Sequence, residues 1–259
     1  MTLSILTVPA FDDNYLWLVH NGSDAIVVDP GDEAVIVQAL QQHHLQLRAI
    51  LLTHHHLDHT GGVAALQERY QVPAYGPAHD GIAHLQYELH DQDQVQIAEL
   101  NLSLRVIEVP GHTRGHIAYY AQQVQWLFCG DTLFGGGCGR LFEGTAQEML
   151  SSLDKLAALP DSTQIFCAHE YTLANLKFAK EVETDNHDLN SRILVEQEKR
   201  RRGMPTIPST IGLEKLSNPF LRTRVNRVRQ YLIDSGRAAP DASDADFFAA
   251  LRTWKNNFK

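Results

Sequence analysis

The chain begins with short apolar runs that end in turns. Residues 25–31, "AIVVDPG", form a continuous β-branched run closed by Pro-Gly, and residues 47–53, "LRAILLT", form another. Over 102–112, "LSLRVIEVPGH", apolar and polar residues alternate with the period of a half-buried strand. "WLFCGD" (126–131) and "TQIFCAHE" (163–170) repeat the form, an apolar strand with a polar residue at its C-terminal end. Helical spacing occupies 33–43 and 145–159 between them. Past about residue 172 the strand pattern stops. Leu173, Leu176, Ala179 and Val182 recur every three residues, and Val225, Val228 and Leu232 show helical spacing too. Phe247, Leu251 and Trp254 form an apolar stripe on a last helix, which Ser243 and Asp246 can cap. The pattern predicts a mixed α/β domain over 1–170 and a smaller helical domain over 171–259, with no internal repeat.

The polar residues at the strand ends carry the chemistry. Asp29, His54, His112, Asp131 and His169 each follow a predicted strand, and strands sharing one core can bring distant residues to a common rim. One strand runs into "THHHLDHTGG" (53–62). If the chain stays extended there, alternate side chains point the same way. His54 and His56 can then grip one ion while His55 points elsewhere. Asp58 and His59 follow at a turn and can grip a second ion. Imidazole nitrogen and carboxylate oxygen suit zinc, iron and manganese, and the lack of a thiolate argues against a purely structural zinc site. Two ions with positions left open for water and substrate need roughly seven protein ligands. His112 in "VPGHTRGH", Asp131 in "CGDTLF" and His169 in "CAHEY" complete such a set, and Asp131 can bridge through its two oxygens. His116 competes with His112 as a ligand, or hydrogen-bonds behind the ligands. Asp29 either orients a ligand or simply forms the turn before Pro-Gly. His20, His43, His44, His79, His84, His90 and His187 are expected to be ordinary surface or hydrogen-bonded histidines.

Composition narrows the class. Hydrophobic residues are 44% and charged residues 20% of 259, as in a globular protein. No apolar run approaches the ~18 residues of a membrane span. The first residues lack the basic and apolar regions of a secretory signal. Cys129, Cys138 and Cys167 show no Cys-x-x-Cys spacing, so reduced thiols and a cytoplasmic location are expected. A net charge of -9 counts against nucleic acid as a partner, but it leaves room for a local positive pocket. A monomer is expected. The basic run at 199–202 is a solvated helix end. The glycines of "FGGGCG" (134–139) fit no phosphate-loop pattern and instead let the backbone bend close to the metal rim, with Cys138 structural among them.

"THHHLDHTGG", taken with "GHTRGH", "GDTLF" and "AHEY", resembles the metallo-β-lactamase superfamily. The resemblance implies an αββα sandwich with a binuclear metal site at one rim, followed here by the helical domain. His54, His56 and His112 would hold one ion, Asp58, His59 and His169 the other, with Asp131 bridging. "FGGGCGRLFEGTAQEM" (134–149), "AHEYTLANLKFA" (168–179), "RGMPTIPSTIGLEKLSNPFLR" (202–222) and "LRTWKNNF" (251–258) resemble the glyoxalase II, or hydroxyacylglutathione hydrolase, family over nearly the whole chain. That resemblance implies hydrolysis of S-D-lactoylglutathione to D-lactate and glutathione, the second step of methylglyoxal detoxification. Two divalent ions would take part, zinc first, with iron or manganese also suited. Asp58 would hold or accept the proton of the attacking water. Arg252 and Lys255 would hold the glycine carboxylate of glutathione, and Arg140 and Tyr171 its backbone. Arg140 stands where some members have lysine. Phe142 stands where some have tyrosine, which reduces one polar contact to apolar packing. The rivals are a lactonase or nuclease of the same superfamily, a flavin-dependent di-iron protein, and a non-catalytic metal-binding module.

Overall fold

The structure is a computed structural model and describes residues 2–258. The chain forms two compact units. One runs to residue 108 and resumes over 113–130, and the other takes 109–112 and the chain from 131 on.

In the first unit, β1 (Ser4–Ala10), β2 (Asn14–His20), β3 (Asp24–Val28), β4 (Gln46–Leu51), β5 (Ala74–Pro77) and β6 (Tyr87–Leu89) form one sheet in chain order. The first three strands are antiparallel, and β3 to β6 run parallel. Parallel neighbours need crossovers, and helices supply the first two. α1 (Glu33–Gln42) joins β3 to β4, and α2 (Leu57–Thr60) with α3 (Val63–Tyr70) joins β4 to β5. The Asp32 carboxylate caps α1 by accepting from the Ala34 N–H at 2.9 Å. Leu16, Leu18, Ala25 and Val27 pack with Ile36 and Leu40 of α1 and Leu66 of α3. Trp17, Val19, Ile26 and Val28 face the other way and are buried as well. Burial on both faces is why "AIVVDPG" reads as a continuous apolar run. A second, antiparallel set holds β7 (Gln94–Ile97), β8 (Leu102–Glu108), β9 (Ile117–Ala121) and β10 (Trp126–Gly130). The Tyr119 hydroxyl on β9 donates to the Leu52 carbonyl at 2.8 Å and ties the two sets together. Burial, with the nearby Asp29 charge, pushes that phenol well up and keeps it a neutral donor.

The second unit carries the hairpin β11 (Leu133–Phe134) and β12 (Gly137–Cys138), then α4 (Ala146–Ala157). There follow β13 (Gln164–Cys167), α5 (Thr172–Val182), α6 (His187–Arg201), β14 (Ser209–Thr210), α7 (Ile211–Ser217), α8 (Asn226–Asp234) and α9 (Asp244–Asn256). Full capping boxes open α4 (Thr145 with Glu148) and α9 (Ser243 with Asp246). The region past 172 is helical except for β14, which pairs with β13. Two residues are too few to show a period in sequence. Leu173 departs from the expected stripe of α5 and is 36% exposed, while Leu176, Phe178, Ala179 and Val182 are buried. On α9, Phe248 joins Phe247 and Leu251 in the core, and Trp254 stacks on Tyr231 with ring centroids 5.6 Å apart.

Candidate metal centre and substrate cavity

In the first unit the candidate ligands lie beyond the C-terminal ends of two adjacent parallel strands. Asp29 follows β3, and Thr53 and His54 follow β4. His54 Nε2 lies 3.0 Å from His56 Nδ1, while His55 turns away to place Nδ1 3.0 Å from Asp80. The alternation read from the sequence therefore holds in space. His59 Nε2 lies 3.4 Å from Asp58. His54 and His59 also have their second ring nitrogen engaged, as metal-ligating histidines usually do. His54 Nδ1 is 3.1 Å from the Thr53 hydroxyl, and His59 Nδ1 is 3.1 Å from Asp29. Asp29 also accepts from the Thr53 N–H at 2.8 Å and the Thr53 hydroxyl at 2.7 Å. Both expected roles are present: Asp29 lies against the His59 ring, and its carbonyl accepts from the Gly31 N–H at 2.9 Å to close the turn. It holds φ at 51°, an uncommon conformation for a residue with a Cβ. His116 is fully buried and stacks on His54, centroids 4.6 Å apart and planes 17° apart.

Three supporting residues escaped the sequence pattern. Asn14 donates to Asp58 at 2.9 Å from 44 positions away. Asp80 accepts from the His55 and Gly115 N–H groups at 2.8 and 2.9 Å and from the Thr113 hydroxyl at 3.1 Å. Thr53 is the third. The approach of α2 depends on Gly31, where a Cβ would stand 1.8 Å from the Asp58 carbonyl oxygen.

The second unit holds the other three candidates. Asp131 stands 3.4 Å from His112 Nε2 through one oxygen and 3.3 Å from His169 Nε2 through the other. A carboxylate presenting both oxygens to two imidazoles suits a bridging ligand. His112 Nδ1 is 2.9 Å from the Arg140 carbonyl, so it is the donor and Nε2 is left with its lone pair. Gly139 lets the chain pass over Asp131, since a Cβ there would lie 1.9 Å from the Asp131 carbonyl oxygen. All five residues expected to bind substrate, Arg140, Phe142, Tyr171, Arg252 and Lys255, line one cavity of about 480 Å³ in this unit. His112 and Asp131 line the same cavity. The donors proposed for the ions are imidazole and carboxylate in both units, and the chemistry of that set fits divalent zinc, iron or manganese.

Residues 170–258 match the hydroxyacylglutathione hydrolase C-terminus, and residues 11–169 match the metallo-beta-lactamase superfamily. A hydroxyacylglutathione hydrolase of Albidiferax ferrireducens is 50% identical over 259 residues, covering 99% of this chain and all of that one. That of Nitrosomonas eutropha is 47% identical over 261 residues, with coverage of 99% and 100%. The chain belongs to the hydroxyacylglutathione hydrolase family. Its fold is that of the metallo-β-lactamases with a helical C-terminal region. Among solved structures, TTHA1623 in a di-iron-bound form aligns with a TM-score of 0.57 and 27% identity, over 84% of this chain and 99% of that one.

In this member of the hydroxyacylglutathione hydrolases, the two α9 cations differ in setting. Arg252 is only 5% exposed, and it donates to the Cys138 carbonyl at 2.8 Å and to Asn256 at 3.1 Å. Its guanidinium lies 4.9 Å from the centre of the Phe220 ring. Arg252 thus builds the cavity wall as well as charging it. Lys255 is half-buried, donates to the Ala174 carbonyl at 3.3 Å and has its pKa lowered to about 8 by burial, then by Arg252 and Arg140. Cys138 is buried, and burial pushes its thiol up, which suits an inert thiol. Tyr171 stacks on His169 with planes 1° apart, and Phe142 meets His112 edge-on while remaining 63% exposed.

Proposed function

We propose that the seven residues His54, His56, Asp58, His59, His112, Asp131 and His169 hold two divalent ions, zinc by assignment, and that the adjoining cavity binds the glutathione part of an S-2-hydroxyacylglutathione. The observation that carries this is the lining of one cavity by His112 and Asp131 together with Arg140, Arg252 and Lys255. Ions held by these residues would supply hydroxide at neutral pH and a positive centre for the carbonyl oxygen. The remaining chemistry falls to side chains. Arg252 and Lys255 hold the glycine carboxylate of glutathione, and Arg140 and Tyr171 contact its backbone. Phe142 gives it an apolar wall. The Asp58 carboxylate, oriented by Asn14, accepts a proton from the attacking water. A thiolate leaving group of pKa about 8.5 departs without a dedicated acid. We assign the boundary between catalytic and helical regions to residue 170. A monomer in the cytoplasm, with no nucleic-acid partner, fits three buried free cysteines and an acidic total. Among the described residues no helix is long and apolar enough to cross a membrane.

The deciding experiment follows loss of thioester absorbance when the purified protein meets S-D-lactoylglutathione. Turnover should vanish after chelation and return with zinc. No turnover in a protein that retains two ions per chain would sink the proposal. Replacing Arg252 and Lys255 together should raise KM for the thioester and leave a lactone unaffected, which separates this reading from a lactonase.

A further inference from the structure

A second group of ligating side chains lies on the surface of the first unit, apart from the seven residues above. His79, His90 and Glu108 come from three separate segments, and their donor atoms all lie within 4.8 Å of one another. His79 follows β5, His90 follows β6, and Glu108 is the last residue of β8. Their backbones are held in place by hydrogen bonds that involve no ion. The Ala78 N–H donates to the Leu89 carbonyl at 3.0 Å, which sets the two histidines on neighbouring chains. The His90 N–H donates to the Asp93 carboxylate at 2.8 Å, which fixes the turn after β6. The Glu108 N–H donates to the Asp91 carboxylate at 2.8 Å, and the Asp91 N–H donates to Glu108 Oε1 at 3.3 Å, clipping that turn to the end of β8. The two imidazoles meet edge to face with centroids 5.2 Å apart.

We propose that His79, His90 and Glu108 form an additional site for a single divalent transition-metal ion, separate from the binuclear centre. Two imidazoles and one carboxylate are donors that zinc, copper and nickel take readily and that calcium and magnesium, which prefer all-oxygen shells, do not. Bonds of about 2.0–2.2 Å from each donor require the atoms to close to roughly 3.3 Å, which small rotations of exposed side chains on fixed backbones achieve. Three protein ligands leave at least one position for water. Asp80 follows His79 directly, and its carboxylate holds His55 and the 113–115 turn. An ion at this site therefore pins the segment that supports the histidine tract.

The test is equilibrium dialysis of the full-length, zinc-loaded protein against rising free zinc, with zinc per chain as the readout. Wild type should take up one equivalent more than His79→Ala and one more than His90→Ala. In Glu108→Gln that equivalent should bind at least about 10-fold more weakly. Glutamine keeps the size of the side chain and can still accept from Asp91, so a folding defect does not explain a loss there. Uptake equal to wild type in either alanine variant, a Glu108→Gln isotherm that superimposes on wild type, or no extra equivalent in wild type overturns the site.

Discussion

At the scale of the residue, neighbours in sequence carry opposite duties. His54 and His56 point their nitrogens at one another, while His55 turns to Asp80. His54→Ala should lose bound metal and cut turnover at least about 100-fold. His55→Ala should keep its metal and lose roughly 10-fold or less. Metal analysis beside kinetics reads both, and equal metal loss in the two variants would refute the division. Lys255 gives a pH signature. Its pKa lies near 8 rather than 10.5, so the ammonium is present below about pH 8 and disappears above it. kcat/KM for a glutathione thioester should therefore fall as pH rises through about 8, since this ratio reports the free enzyme. Lys255→Arg keeps its charge throughout that range, so its profile should lose this limb. A limb unchanged by the substitution assigns it to another group.

At the scale of the element, helix ends and one buried ion pair set the geometry of the second unit. Arg192 on α6 and Glu214 on α7 pair at 2.6 Å with side chains almost wholly buried. Glu214 also accepts from the Gly136 N–H at 2.8 Å and from Asn218 at 3.0 Å, so the pair braces the glycine loop that precedes Cys138. Arg192→Ala leaves a buried carboxylate without its cation and should cost about 3–5 kcal/mol in denaturant unfolding. Ser243→Ala removes only one half of the α9 capping box and should cost about 1 kcal/mol. A smaller loss in Arg192→Ala than in Ser243→Ala would show that the pair is dispensable. Arg252 and Lys255 sit on α9, so Ser243→Ala also tests whether fraying at its start reaches the cavity. KM should stay near wild type, because the cap lies more than two turns from them.

At the scale of the whole molecule, an acidic protein is proposed to bind an anionic substrate. The net charge of -9 repels anions at long range, whereas Arg140, Arg252 and Lys255 attract them locally. Salt shortens the range of both effects, from about 8 Å at physiological strength to about 3 Å at 1 M. Contacts to partly buried cations are screened least, so salt should relieve mainly the long-range repulsion and KM should fall roughly two-fold between low and high salt. A KM that rises with salt would mean that attraction by the pocket cations is the more strongly screened effect. Ion loss is the other global variable. Ligands that bind only the folded chain stabilise it by mass action, about 2.7 kcal/mol at 100 times Kd. Chelation should therefore lower Tm by roughly 5–10 °C, read by calorimetry.

Strand ends, the histidine tract, the α9 cap of Ser243 with Asp246 and the helical tail were legible from order alone. A strand buried on both faces must be a continuous apolar run, and a side chain's direction along an extended segment follows from the backbone period. Those are local constraints, and they leave a local imprint. The partners of the tract left none. Asn14 on Asp58, Asp80 under His55, Asp29 against His59 and Arg252 on the Cys138 carbonyl are single hydrogen-bonded or charged contacts between residues far apart in the chain. The same holds for His79, His90 and Glu108, which look like unrelated surface residues until β5, β6 and β8 bring their ends together. Periodicity records which face a residue presents. Which distant side chain meets it there is decided by packing, so tertiary structure alone could supply those partners.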